Sequence, residues 1–216
     1  MTKLHTRRTV LAVAMTAALG LLGAPAAIAE VAPFPALALP FKAGQQVYSA
    51  GIHSDDGSTG VKNAIDFSPA DRTVRAPLAG TVHLQHCAGG DWVTIDHAGG
   101  WRTGYYHMEG IKVTDGEHVE AGAVLGSTGN ALPCGGSSTG AHVHFTLWTV
   151  PEAANWDGKS FAEVSTAVAQ ADGEPVDGKT IGGWRFTAGA EQYTGTATHL
   201  ADNAVTQLPG RFRAKL

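Results

Sequence analysis

The stretch Ala141-His142-Val143-His144-Phe145-Thr146-Leu147 decides how the chain is read. In a β-strand alternate side chains share a face. Val143, Phe145 and Leu147 then point into a core, and His142 and His144 point together to the other side. Two imidazoles on one face of a core strand are explained by a shared metal site. The competing reading is a half-exposed strand with two solvated histidines. The loop before it, Gly135-Gly136-Ser137-Ser138-Thr139-Gly140, favours the edge of a cleft.

Outward from this strand the chain keeps one style. Glycine accounts for 28 of 216 residues, well above the usual ~7%. Many sit in pairs: Gly89-Gly90, Gly99-Gly100, Gly135-Gly136 and Gly182-Gly183. Between them lie runs rich in Val, Ile, Thr, Tyr and Trp: Gly80 to His86, Asp91 to Asp96, Trp101 to His107, Ala123 to Ser127, Ala141 to Thr149 and Thr180 to Thr187. Short strands divided by glycine turns predict a mostly β chain, a single domain of antiparallel sheet with long glycine-rich loops around a metal cleft. No long stretch carries a helical apolar period. Phe161 to Ala169 reads equally as a short helix or as part of an insertion.

The start of the chain has another character. Lys3, Arg7 and Arg8 precede an apolar run from Val10 to Gly23, shorter than the roughly 20 residues of a membrane-spanning helix. Ala27-Ile28-Ala29 is a small-x-small cleavage site. Residues 1–29 therefore read as an export signal. Thr6-Arg7-Arg8-Thr9-Val10-Leu11 resembles a twin-arginine signal, and an ordinary secretion signal with two arginines is the other reading. Residues 30–40, with Pro33, Pro35 and Pro40, read as an extended leader, and residues 41–216 as one catalytic domain. Without the signal, 15 basic residues become 12 against 19 acidic ones, a net charge of −7. That balance argues against nucleic acid and anionic membranes as partners. Cys87 and Cys134 are the two cysteines, and an even number in an exported chain points to one disulfide.

Asp66, in Ala64-Ile65-Asp66-Phe67, faces away from its apolar neighbours. His53 stands thirteen residues earlier, across a polar glycine-containing loop. Gly104-Tyr105-Tyr106-His107-Met108 places His107 at the end of an aromatic strand. Several elements in order, Gly51-Ile52-His53, Ile65-Asp66-Phe67, Ala76 to Val82, Tyr106-His107-Met108, the glycine loop and His142-Val143-His144-Phe145, resemble the lysostaphin-type zinc endopeptidases, most closely their beta-lytic (staphylolytic) branch. Ile181-Gly182-Gly183-Trp184 resembles a later segment of the same branch, so the resemblance runs from about Leu39 to Gly195.

By position, the resemblance implies one Zn²⁺ held by His53, Asp66 and His144. It implies His107 and His142 as catalytic histidines, one a general acid/base and one stabilising the oxyanion, in either assignment. Tyr106 matches an aromatic beside the site, and Tyr193 a tyrosine that helps polarise the substrate. Cys87 and Cys134 fall where the branch has a disulfide-closed loop. The implied activity is hydrolysis of peptide bonds in bacterial peptidoglycan, at glycine-containing bonds, by a secreted monomer acting in the cell-wall space with no stable membrane association. A non-catalytic relative that binds peptidoglycan or regulates a hydrolase is the alternative, and an exported structural β domain a third reading. Many relatives carry their first histidine ligand four residues before the aspartate, where this chain has Lys62. Ala141 stands in place of a common proline. Relatives in this branch often carry a long pro-segment, where only residues 30–40 separate signal and domain here.

Overall fold

The computed structural model describes residues 31–54, 60–149 and 173–215. The Phe161 to Ala169 segment and the export signal lie outside the described residues. Among the described residues there is no α-helix, and no helix is long and apolar enough to cross a membrane.

Alternation of apolar and polar residues builds the strands. β1 (Gln46–His53), β2 (Ala64–Pro69), β3 (Thr73–Arg75), β4 (Gly80–Cys87), β5 (Gly90–His97) and β6 (Trp101–Tyr106) come first. Then follow β7 (His118–Val119), β8 (Val124–Ser127), β9 (Val143–Thr149), β10 (Thr180–Ile181), β11 (Trp184–Ala188), β12 (Gly195–His199), β13 (Val205–Leu208) and β14 (Gly210–Arg213). An eight-stranded sheet has the order β14-β1-β2-β9-β6-β5-β4-β7. A four-stranded sheet runs β10-β11-β12-β13, and β3 pairs with β8. All the strand pairs are antiparallel, as the glycine-punctuated pattern predicts.

Most strand limits shift by a residue or so from the sequence reading, and three of the differences have a clear local reason. The run from Thr180 to Thr187 is a hairpin, because Gly182 and Gly183 both take positive φ and reverse the chain. The strand from Trp101 stops at Tyr106, because His107 is left-handed at φ 64. The strand expected from Ala141 begins at Val143, and His142 instead makes an isolated bridge to Gly129. The leader is extended but not loose. Leu37 and Leu39 are buried, Leu37 bridges Ile181, and Phe34 meets Trp101 edge-on at 4.9 Å.

One row of paired residues crosses the large sheet through its core face. Ile52 pairs with Ile65, Ile65 with Phe145, Phe145 with Tyr105, and Tyr105 with Val93. All five are fully buried. Next along β2, Phe67 contacts Phe41, Phe145 and Phe186, so the smaller sheet packs against the same core. Cys87 and Cys134 are joined, with Cα atoms 5.0 Å apart. The bond ties the end of β4 to the loop that precedes the glycine stretch.

A buried polar chain runs beside this core. His97 donates from Nδ1 to Ala79 O at 2.9 Å. Its Nε2 accepts from Thr103 Oγ1 at 2.8 Å, and Thr103 accepts from Tyr105 Oη at 2.7 Å. A neutral imidazole completes this chain. A second proton on Nε2 would face the hydroxyl that now donates to it. Burial accordingly pulls the His97 pKa below its ordinary value. The unfolded chain then takes up this proton first, so His97 contributes stability that is present above pH ~6.5 and lost as pH falls through its folded value. The urea unfolding free energy should therefore decline below that pH. His97→Gln should flatten the slope by up to one proton, about 1.4 kcal/mol per pH unit. An unchanged slope in this variant would place the titration elsewhere.

Candidate active site

The opposite face of the sheet carries a second row, offset by one residue from the core row. Gly51 pairs with Asp66, Asp66 with His144, and His144 with Tyr106. Antiparallel register thus sets Asp66 and His144 side by side. A bulge between Ser49 and Gly51 shifts the register of β1, and β1 ends at His53 beside them. His53 Nε2 lies 3.1 Å from Asp66 Oδ1, and His144 Nδ1 also lies 3.1 Å from it. One donor atom from each of His53, Asp66 and His144 falls within 4.8 Å of the others, and all three residues are buried. These three residues could hold a metal ion.

The chemistry of the donors fits a cation. His53 Nδ1–H donates to Ser54 O at 2.8 Å, so in a neutral ring Nε2 presents its lone pair to the carboxylate. Two lone pairs facing each other at 3.1 Å repel, and a cation between them turns that contact into an attraction. Burial opposes ionisation of Asp66. Where those rings are protonated in place of a bound cation, hydrogen bonds from His144 and His53, with the charge on the rings, outweigh it and hold the carboxyl well below the usual range. Two nitrogens and one carboxylate oxygen form the donor set of an open catalytic zinc site.

Two more histidines border this centre, and backbone carbonyls set the tautomer of each. His107 Nδ1–H donates to Ala131 O at 2.8 Å, and His142 Nδ1–H donates to Gly140 O at 2.7 Å. In their neutral forms both therefore carry the lone pair on Nε2. His142 Nε2 is 3.6 Å from Asp66 Oδ1, and the rings of His107 and His142 are 4.6 Å apart. Burial pulls His107 down to about 4, and the nearby His142 and His144 add to this against the bond to Ala131. His107 is thus neutral at neutral pH and equipped to accept a proton.

Both tyrosines expected at the site lie beside it, in different situations. The Tyr106 hydroxyl accepts from Cys134 N at 2.7 Å and donates to Gly135 O at 3.0 Å, so it ties the disulfide loop to β6. Tyr193 stacks on His53 with ring centroids 4.2 Å apart and planes 25° apart. Burial, and then the charge on Asp66, raise the Tyr193 pKa, which keeps its hydroxyl a donor. Tyr193 is left-handed at φ 63, and its N–H donates to Ile52 O at 2.8 Å.

Sequence reasoning passed over the supports of this arrangement. Gln192 Oε1 accepts from Ser54 N at 2.9 Å, and Gln192 Nε2 donates to Ser54 Oγ at 3.0 Å. Glu109 accepts from Asn130 N, next to the Gly129 that bridges His142. Neither contact follows a local spacing. Gly51 did carry a signal, since a glycine inside a strand marks a bulge or a close backbone approach.

A buried His-Asp-His donor set on an antiparallel sheet, with two further histidines beside it, defines a β domain with a candidate metal site. Comparison with known proteins narrows the class. Residues 60–158 match the family model Peptidase family M23, a span that includes Asp66, His107, His142 and His144 and stops short of His53. The Beta-lytic metalloendopeptidase of Lysobacter enzymogenes is 31% identical over 122 residues, 51% of this chain and 67% of the relative. Protease LasA of Pseudomonas aeruginosa is 38% identical over 138 residues, 58% of this chain. The match covers 32% of LasA, so the chain spans about a third of that relative's length. The solved structure of the M23 metalloprotease pseudoalterin, described as from the deep sea, shares the fold. Its TM-score is 0.66, over 84% of this chain and 99% of its own, at 24% identity. The chain belongs to peptidase family M23.

Gly51 offers a direct test of how the site is closed. Its φ is +115, and a Cβ there would sit 2.1 Å from Tyr193 O. Backbone cannot yield as a flexible side chain does. Gly51→Ala should cost about 2–5 kcal/mol, combining left-handed strain with overpacking. Urea unfolding measures it, and a loss under 1 kcal/mol would mean the contact relaxes freely.

Proposed function

We propose that this chain is an exported zinc metalloendopeptidase that hydrolyses peptide bonds in bacterial peptidoglycan cross-links, at glycine-containing bonds. One observation carries the reading: His53, Asp66 and His144 converge their donor atoms within 4.8 Å, and His107 and His142 stand beside them with Nδ1–H held by backbone carbonyls. A structural metal site has no use for two tautomer-fixed bases at its rim. Hydrolysis needs both a proton acceptor and a donor to the leaving amine.

Zinc held by His53, Asp66 and His144 would supply Lewis-acid polarisation of the scissile carbonyl and acidification of water. The protein's own groups do the rest. One of His107 and His142 takes the proton of the attacking water on Nε2 and returns it to the departing amine. The other takes up a solvent proton on Nε2 before the attack and returns it to solvent on product release, and in between donates toward the developing oxyanion together with the Tyr193 hydroxyl. Their backbone acceptors Ala131 and Gly140 hold each ring in the tautomer this requires. The peptidoglycan substrate and the preference for glycine bonds rest on the resemblance to the beta-lytic branch. Export rests on residues 1–29, with a mature enzyme that is monomeric and acts in the cell-wall space.

The test separates holding metal from moving protons. His53→Ala, Asp66→Ala and His144→Ala should lose zinc along with hydrolysis of a glycine-rich wall peptide. His107→Ala and His142→Ala should keep zinc near one equivalent while turnover falls about 10²–10⁴-fold. Metal analysis beside peptide turnover for all five variants reads both. Zinc lost in His142→Ala and kept in His144→Ala would reverse the two roles. Zinc bound with no hydrolysis by the unaltered protein would point to a non-catalytic wall-binding relative.

A further inference from the structure

Lys62 stands four residues before Asp66, in the segment that leads into β2. Its ammonium makes three hydrogen bonds, to Gly189 O at 2.6 Å, Ala190 O at 2.9 Å and Glu191 O at 2.9 Å. A lysine has three donors and no acceptor, so all three converge on consecutive carbonyls of the turn between β11 and β12. That turn leads into Gln192, which clasps Ser54, and Tyr193, which stacks on His53.

Tyr193 needs outside support in this pose. A left-handed backbone costs a non-glycine residue about 1–2 kcal/mol. Its side chain is 40% exposed, so burial returns little. Within the turn, Gly189 N donates to Thr194 O at 3.0 Å and Thr194 Oγ1 donates to Glu191 O at 2.7 Å. These bonds shape the turn without attaching it to the large sheet. Attachment comes from Tyr193 N to Ile52 O, from Gln192 with Ser54, and from Lys62. Of these Lys62 alone brings a full charge, and it grips the three carbonyls that directly precede Gln192.

We propose that Lys62 is a positioning residue, whose ammonium fixes the turn at residues 189–191 so that Tyr193 stands over the His53 ring, and that it acts on hydrolysis through Tyr193. This rests on the zinc-peptidase reading given above. Lys62 occupies the position that supplies a metal ligand in many relatives, and here that position holds the wall of the site instead.

The experiment is a double-mutant cycle with two readouts, made on the chain with its metal. Lys62→Met keeps the aliphatic stem and removes the three donors, and Lys62→Gln serves if that variant fails to fold. Hydrogen exchange should show protection across residues 189–194 falling at least tenfold while β9 stays protected. Zinc should remain near one per chain. Turnover of a glycine-rich peptide should fall in kcat by about 10–100-fold, the range expected when a reacting geometry is displaced. In a Tyr193→Phe background, the same Lys62 change should alter kcat less than twofold. Unchanged protection at 189–194 overturns the proposal, and so do equal kcat losses in both backgrounds or loss of zinc. If the unaltered chain hydrolyses nothing, the peptidase reading falls, and the exchange measurement still decides whether Lys62 holds the turn.

Discussion

The site depends on the pairing register of β1, β2, β9 and β6. Asp66 and His144 are direct cross-strand partners, and Tyr106 and Gly51 extend the same row. The neighbouring row, from Ile52 through Ile65, Phe145 and Tyr105 to Val93, is fully buried. Side chains alternate between faces, so a slip of one residue would exchange the two rows. It would expose five large apolar groups, a loss on the order of 10 kcal/mol, and drive a carboxylate and an imidazole into the core. The apolar row therefore holds the polar row in place. The placing of Asp66 beside His144 is set in part by residues that never approach them.

Register places the ligands, but hydrogen bonds to the backbone decide what each ring can do. His53, His107 and His142 all give Nδ1–H to a carbonyl oxygen, from Ser54, Ala131 and Gly140. An acceptor with no proton of its own leaves a single neutral tautomer. In its neutral form each ring thus carries its lone pair on Nε2. At His53 that lone pair could bind a metal ion, and at His107 and His142 it could accept a proton. The difference lies in distance to Asp66: 3.1 Å for His53 Nε2 and 3.6 Å for His142 Nε2. The 131–135 segment that supplies the acceptor for His107 is held by the Cys87–Cys134 bond and by the Tyr106 hydroxyl. The disulfide belongs to the chemistry as much as to the fold.

The antiparallel β character and the central strand were legible because they are written in local alternation. Val143, Phe145 and Leu147 are buried and His142 and His144 both approach Asp66, as period-two reading expects. The joining of Cys87 to Cys134 followed from their number and the export signal. The ends of elements were less legible. His107 leaves its strand because of a left-handed backbone that no residue pattern announces, while the Gly182-Gly183 pair was visible as a turn inside a run read as continuous. Least legible were contacts between distant segments. Lys62 to Gly189 and Ser54 to Gln192 span more than a hundred residues, and nothing in spacing or composition encodes them. His53 became a candidate ligand through family resemblance, since a lone histidine thirteen residues from an aspartate has no local geometry to support it.

Among the described non-glycine residues, Arg72, His107, Tyr193 and Asn203 adopt positive φ. Two of these four, His107 and Tyr193, border the His53–Asp66–His144 cluster, and strained backbone gathers at functional sites. Strain of this kind persists only where surrounding contacts over-determine it. His107 has reciprocal contacts with Ala131, Nδ1 to O and N back to its own O. Tyr193 has Ile52 O, the missing Cβ of Gly51, and the turn held by Lys62. The two residues are thus fixed by different parts of the chain, one by the disulfide loop and the other by the hairpin of the smaller sheet. His53, Asp66 and His144 need neither loop, since β1, β2 and β9 carry all three. A fold arranged this way can keep the His53–Asp66–His144 cluster constant while the two flanking loops vary.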